Sequence, residues 1–173
     1  MNYFDLFEIQ QKLDIDVEHV KSKYLILQQH QDLYSTDHHS KLNYTISLNG
    51  AYQTLIDALK RTEYFLSLHG ITTYEPYRHR IDKTFLQKMI DKIELVDETN
   101  DSSVLEILLI DSNMEYQLIF STMASSVDTA IMEGSVIQSD MLHIAVDGVI
   151  KLRYINTILS SIKQKIRALT LGC

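Results

Sequence analysis

Apolar positions fall at helical spacing through most of the chain. In VEHVKSKYLILQQ, Val17, Val20, Tyr24 and Leu27 recur at three- and four-residue intervals, which predicts a helix with one apolar face. Asp16 precedes it as an N-cap, and Glu18 suits the positive end of the helix dipole. A short helix from Tyr3 to about Ile9, carrying Phe4, Leu6 and Phe7, is expected ahead of it. Residues 28–40 are Gln, His, Asp, Ser and Thr with little periodicity and read as a polar loop. A longer helix is predicted from about Lys41 to Asp57, with Ile46, Asn49, Tyr52, Leu55 and Ile56 on one side. LKRTEYFLSLHG follows, with Leu59, Phe65, Leu66 and Leu68 apolar and Gly70 as a C-terminal stop. Two long helices joined by such a loop are expected to pack antiparallel.

GITTYEPYRHR then interrupts the pattern. It holds the sole proline, Pro76, which biases Glu75 away from helix. Helical spacing resumes in DKTFLQKMIDKIELVDE, where Asp82 can cap and Phe85, Leu86, Met89, Ile90, Ile93 and Val96 form a broad apolar stripe. DSSVLEILLIDSNMEYQLIFSTM predicts another helix, capped by Ser102 or Ser103. Residues 140–171 give the clearest long helix, with Leu142, Ala145, Val149, Leu152, Ile155, Ile158 or Leu159, Ile162, Ile166 and Leu169 in register. Three helices with one apolar face each must bury those faces together. The expectation is an all-α chain: a helical hairpin with short flanking helices over residues 1–75, a linker over 76–81 and a three-helix bundle over 82–173.

Composition agrees. Of 173 residues only 5 are Gly and 1 is Pro, too few for the turns of a strand-rich fold. The net charge is −7, with no Lys/Arg cluster to displace counterions from phosphates, so nucleic acid is not an expected partner. From Asp91 to Asp147 there are twelve acids and one base, Lys92, whereas the chain from Gly148 onward carries five bases and no acid. The basic end of the last helix is therefore a candidate to lie against an acidic neighbour. The lone Cys173 excludes an internal disulfide or a cysteine zinc site and fits a reducing compartment. MNYFDLFEIQ lacks the form of a secretory signal, and VLEILLI is too short to span a bilayer, so no membrane association is expected. Bacterial cytoplasm is the expected location, with a processed mitochondrial form as the alternative.

Motifs for chemistry are missing: there is no Gly-rich phosphate loop, no HExxH and no GxSxG. Asp91, Glu94 and Glu98 share a helix face, a spacing typical of solvated surface. His30, His38 and His39 flank the polar loop with Asp32 and Asp37, but the adjacent pair diverges and suits no metal. These readings lead to a helical binding protein that is not an enzyme.

The order of pieces carries a resemblance. MNYFDLF, a helix, a polar loop and LNGAYQTLIDALKRTEYFLSLHG resemble the J-domain of the HscB family, co-chaperones of iron–sulfur cluster assembly. The ending R-x-E-Y-x-L-x-L-H-G is its most specific part, and TFLQKMIDKIELVDE and IKLRYINTI are similar to the first and last helices of that family's C-terminal bundle. The resemblance implies a J-domain that contacts an HscA- or DnaK-type ATPase chaperone and stimulates it, and a bundle that binds the scaffold IscU, in a chain that holds no cofactor of its own.

A J-domain carries His-Pro-Asp after its second helix; this chain has no intact copy. Ungapped counting from Tyr3 puts the tripeptide on Asp32, Leu33 and Tyr34, whereas a two-residue shift puts it on His30, Gln31 and Asp32. Proline would stiffen that loop, and the aspartate could bond an arginine of the chaperone. The resemblance thus implies chaperone contacts at Lys21, Lys23, His30, Gln31 and Asp32, with a sparser basic face than the family shows. The alternative is a degenerate adaptor that binds a scaffold or client and activates no ATPase. For the scaffold, the implied contacts are Leu86, Ile90, Asp91, Glu94, Glu98 and Tyr154, with Gln87 where the family has an apolar residue.

Overall fold

The computed structural model describes residues 2–30, 38–71, 81–132 and 139–171. The described residues contain helices and no strand. The helices are α1 (Tyr3–Leu6), α2 (Val17–Gln29), α3 (His38–Ile56), α4 (Ala58–Leu68), α5 (Lys83–Glu98), α6 (Ser102–Met132) and α7 (Ser139–Leu171). The chain divides into two compact units, Met1–Ile71 and Thr72–Cys173.

In the first unit, α1 is shorter than the apolar run suggests. Glu8 adopts a left-handed backbone with φ 55°, and the Ile9 and Glu8 N–H groups bond back to the Phe4 and Asp5 carbonyls. Those two bonds close the helix end in the Schellman pattern without a glycine. An Asn2–Asp5 capping box holds the other end. Asp16 caps α2 as expected, accepting from the His19 N–H at 3.0 Å. The hairpin of α2 and α3 is stitched by the Tyr24–Tyr52 stack and by Tyr24 Oη donating to Asn49 Oδ1 at 2.8 Å.

The buried side of α3 differs from the expected one. Leu48, Ala51 and Leu55 are buried, and Ile46 is exposed. Three apolar residues at strict three- and four-residue spacing beat one isoleucine that sits on the far side of the helix. Asp57 then breaks the chain and caps α4 through the Lys60 N–H. At the other end Gly70, with φ 73°, closes α4 by the same Schellman pair, Ile71 N–H to Leu66 O and Gly70 N–H to Ser67 O.

One buried cation ties this unit together. Arg61 on α4 donates from Nε to the Leu13 carbonyl at 2.8 Å and from a terminal guanidinium nitrogen to the Leu55 carbonyl near the end of α3. A polar group buried this way is stable only because its donors are met.

In the second unit α7 is the spine. Most of its expected register holds: Ala145, Val149, Leu152, Ile155, Ile158, Leu159 and Ile162 are buried and Ile166 and Leu169 half-buried, while the Leu142 side chain lies outside the described residues. Met89 and Val96 of α5 and Leu105 and Leu108 of α6 join Ile155, Ile158, Leu159 and Ile162 in one core. The cap of α6 is Asp101, which accepts from the Ser103 N–H at 2.8 Å, and not Ser102 or Ser103. α6 also runs further than its sequence suggests, to Met132, because Phe120, Met123, Ala124, Val127 and Ala130 continue a buried face against α7. The two helices close tightly there. A Cβ on Gly148 would stand 2.3 Å from Met123 Sδ.

Arg61→Ala is expected to lower stability by about 2–4 kcal/mol, because it strands two carbonyls as well as opening a cavity. Urea unfolding followed by circular dichroism measures this, and Arg61→Lys should recover less than half, since one ammonium cannot reproduce the planar fork.

Candidate protein-docking site

The candidate scaffold contacts lie mainly on α5, so its rotational setting decides what they present. Asp82 starts the helix by accepting from the Thr84 N–H at 3.2 Å. Met89, Lys92 and Val96 are its buried positions, while Phe85 and Leu86 are half-buried. Ile90 and Ile93, expected in the apolar stripe, are 47% and 40% exposed. At 100° per residue, Leu86, Ile90 and Ile93 form a strip along one border of the buried face, and Glu94, Glu98 and Asp91 come next around the helix. All three carboxylates are exposed. Gln87 Nε2 donates to Asp91 Oδ1 at 2.8 Å and so holds that carboxylate in place.

Tyr154 of α7 is half-buried and meets Phe85 edge-on, with ring centroids 6.4 Å apart. Phe85 also lies beneath Lys151 Nζ at 5.7 Å. These contacts bring Tyr154 to the N-terminal end of α5. Glu98 is twelve residues beyond Leu86, about 18 Å along the axis, and belongs to the other end of the strip.

Lys92 fixes the setting. Its side chain is 9% exposed, and its Nζ donates to Asp111 Oδ2 at 2.7 Å, Glu115 Oε2 at 2.9 Å and Ser112 Oγ at 3.2 Å, all on α6. Lys88 donates to the other Glu115 oxygen at 2.9 Å. Burial opposes charge on Lys92, but the bonds from Asp111 and Glu115 outweigh it and hold its pKa above the usual lysine value. The Lys92 bond draws Asp111 below the usual carboxylate range. Burial pushes Glu115 up, yet Lys92 and Lys88 together bring it below its ordinary value. Lys92 was legible in the sequence only as a lone base in an acidic run. An apolar run broken by one lysine at a core position was the available signal.

In the first unit, Lys21 and Lys23 are both on α2 but about 200° apart around it. Lys23 Nζ is 2.7 Å from Glu8 and Lys21 Nζ is 3.6 Å from Glu18. His30 is the exposed C-cap of α2. Gln31 and Asp32 lie outside the described residues, as do residues 76–80 of the expected linker. Among the described residues no three His, Cys, Asp or Glu side chains converge as a metal site would need, and no helix is long and apolar enough to cross a membrane.

No family model matches the chain. The chain is similar to the co-chaperone protein HscB of Proteus mirabilis, 28% identical over 179 residues, with 98% of this chain and 95% of the relative covered. It is 30% identical over 174 residues to an HscB homologue of Vibrio cholerae, covering 95% and 96% of the two chains. This chain belongs to the HscB family of co-chaperones. The fold agrees: the chaperone HscB structure from Vibrio cholerae matches with a TM-score of 0.76 at 23% identity, over 98% of this chain and 99% of that one. The fold is thus the HscB one, a J-domain followed by a three-helix bundle.

Lys92→Met keeps the apolar stem and removes the cation. The expected loss is about 1–3 kcal/mol at neutral pH, less than for a fully buried pair because Asp111 can rehydrate. The carboxylate pKa values are lowered, so their contribution is complete above the ordinary range near pH ~4 and is lost as pH falls through the lowered values. The lysine value is raised, so its share is complete below about pH 10 and is lost as pH rises through the raised value. Urea titrations across pH should show wild type and variant furthest apart between those limits and converging as pH falls through the lowered carboxylate values.

Proposed function

We propose that this HscB-family chain is a co-chaperone of iron–sulfur cluster assembly that binds an IscU-type scaffold through α5 and presents it to an HscA- or DnaK-type ATPase chaperone. The observation that carries the reading is the exposed strip of α5, where Leu86, Ile90 and Ile93 run beside Asp91, Glu94 and Glu98 with Tyr154 at one end. An apolar anchor ringed by charge is the usual anatomy of a binding hot spot, with the acids steering a basic partner. Ile93 joins the set on exposure alone. The chain makes and breaks no covalent bond in this role; its work is to hold one protein where another can act on it.

A second reading has its own support in the first unit. With His-Pro-Asp incomplete and both α2 lysines beside glutamates, α2 presents little free positive charge to an acidic chaperone surface. In that reading the chain is an adaptor that binds the scaffold and leaves the ATPase rate unchanged.

Calorimetric titration with an IscU-type scaffold tests the first part. Ile90→Ala and Glu94→Lys should each weaken binding about tenfold or more, with unaltered helical circular dichroism, since both side chains are exposed. Failure of the wild-type chain to bind the scaffold overturns the proposal. A steady-state ATPase assay with chaperone and scaffold separates the two readings: stimulation lost in Asp32→Ala supports the co-chaperone, and scaffold binding with a flat rate supports the adaptor.

A further inference from the structure

Between α6 and α7 the bundle leaves a pocket of about 320 Å³. Leu118, Ile119 and Met123 of α6 and Ile144 of α7 give it apolar walls. Gly148 lines it too and adds no side chain to fill it. Leu118 is exposed and stands at the rim. It continues the outer apolar side of α6 set by Ile107, Ile110 and Met114, opposite the core face of Leu105 and Leu108.

One polar atom of this pocket is unanswered. Asp147 lines it, and the Asp147 Oδ1 is buried without a hydrogen-bond partner. The two other polar residues of the lining do not donate to it. Thr122 gives its hydroxyl hydrogen to the Leu118 carbonyl at 2.8 Å. Lys151 follows Asp147 by one turn of α7, but its Nζ stands over the Phe85 ring at 5.7 Å. A carboxylate oxygen withdrawn from water demands a donor, and a cationic donor bonds it about twice as strongly as a neutral one. The apolar walls demand a hydrocarbon stem. A planar guanidinium or an ammonium on a short alkyl chain meets both demands. We infer that the pocket between α6 and α7 binds an alkylguanidinium or alkylammonium group, with Asp147 as its counter-ion. Such a group comes either as a free small cation or as an Arg or Lys side chain of a bound protein. Tyr154 lies seven residues beyond Asp147, on nearly the same side of α7 and about 10 Å along it, so a protein seated there is within reach of the pocket. That second source rests on the scaffold reading above; the pocket itself does not.

The probe is n-butylguanidinium, beside its neutral near-isostere n-butylurea and the stemless guanidinium ion. Binding is followed in ¹H–¹⁵N correlation spectra of the full chain. The butyl cation should saturate with a Kd on the order of 1 mM, as a ligand of its size allows, and shift amides of residues 118–123 and 144–151. Butylurea, which lacks the charge, and guanidinium, which lacks the stem, should each bind at least ~10-fold more weakly. Asp147→Asn should abolish the preference for the cation over the urea, while Glu106→Gln, at an exposed acid of α6, leaves it intact. The inference is overturned if the cation does not saturate, which is also the outcome if Lys151 fills the pocket itself. It is overturned equally if butylurea binds as tightly, if Asp147→Asn keeps the preference, or if the shifts fall elsewhere. Displacement of the bound probe by an IscU-type scaffold assigns the pocket to a partner's side chain, and simultaneous binding of both assigns it to a free cation. A chain that binds the probe and no scaffold upholds the pocket and sinks only the reading of α5.

Discussion

The second unit depends on where α5 stops turning, and Lys92 stops it. α5 has apolar side chains spread around much of its circumference, from Phe85 and Met89 through Ile93 and Leu86 to Ile90, with Leu95 further round. Several rotations would bury a similar apolar area, so the hydrophobic effect alone discriminates weakly among them. A lysine that must reach Asp111, Ser112 and Glu115 at once accepts one rotation. The desolvation cost of such a cluster makes it a poor source of stability compared with apolar side chains in place of all its members. Its contribution is to specificity: a setting that kept Lys92 buried but turned it away from α6 would leave a cation without partners. Leu86, Ile90 and the acids are on the surface because Lys92 is not.

Arg61 plays the corresponding part in the first unit. It joins a loop carbonyl at Leu13 to the end of α3 at Leu55, two segments 42 residues apart in sequence. Aromatic contacts finish the job locally. Tyr64 stacks on Tyr3 at 4.3 Å and accepts the Tyr3 N–H at 2.9 Å, which seats α1 on α4. In both units one long cation reaches where apolar packing alone would leave the register loose.

Periodicity made the helices legible, and the limits of periodicity explain what it hid. α7 could be read almost residue by residue, because its apolar face is continuous and its other faces are polar. Asp16 and Asp82 were legible as caps because each immediately precedes a helical pattern. Asp101 was passed over for its serine neighbours, although aspartate caps as well as serine does. The α3 face is hidden in the sequence because Ile46 competes with Leu48 and Ala51, which are the residues buried. On α5 the pattern was too rich: six apolar positions were assigned one buried stripe, and the structure exposes Ile90 and Ile93. On α6 it was ambiguous, because two opposed apolar faces cancel in any one-sided reading. The α5 site residues came from family resemblance, and coordinates add their exposure and neighbours; the loop at Gln31 and Asp32 gains nothing from them.

The end of α5 shows which link governs the site. A helix C-terminus carries partial negative charge, so each acid in its last turn is unfavourable by about 0.3–1 kcal/mol. α5 nevertheless ends with Glu94, Asp97 and Glu98 close together and no basic residue in its last turn. The compensation comes from α7, whose Lys165 donates to the Asp97 carbonyl at 3.0 Å. That bond is one point at which the basic end of the chain meets the acidic middle. One lysine against three carboxylates leaves the end of α5 net acidic, so helix stability does not account for the acids. They lie beside exposed isoleucines that core packing does not account for either. Two local costs that coincide on one strip are what a docking face requires and what a purely structural helix would avoid.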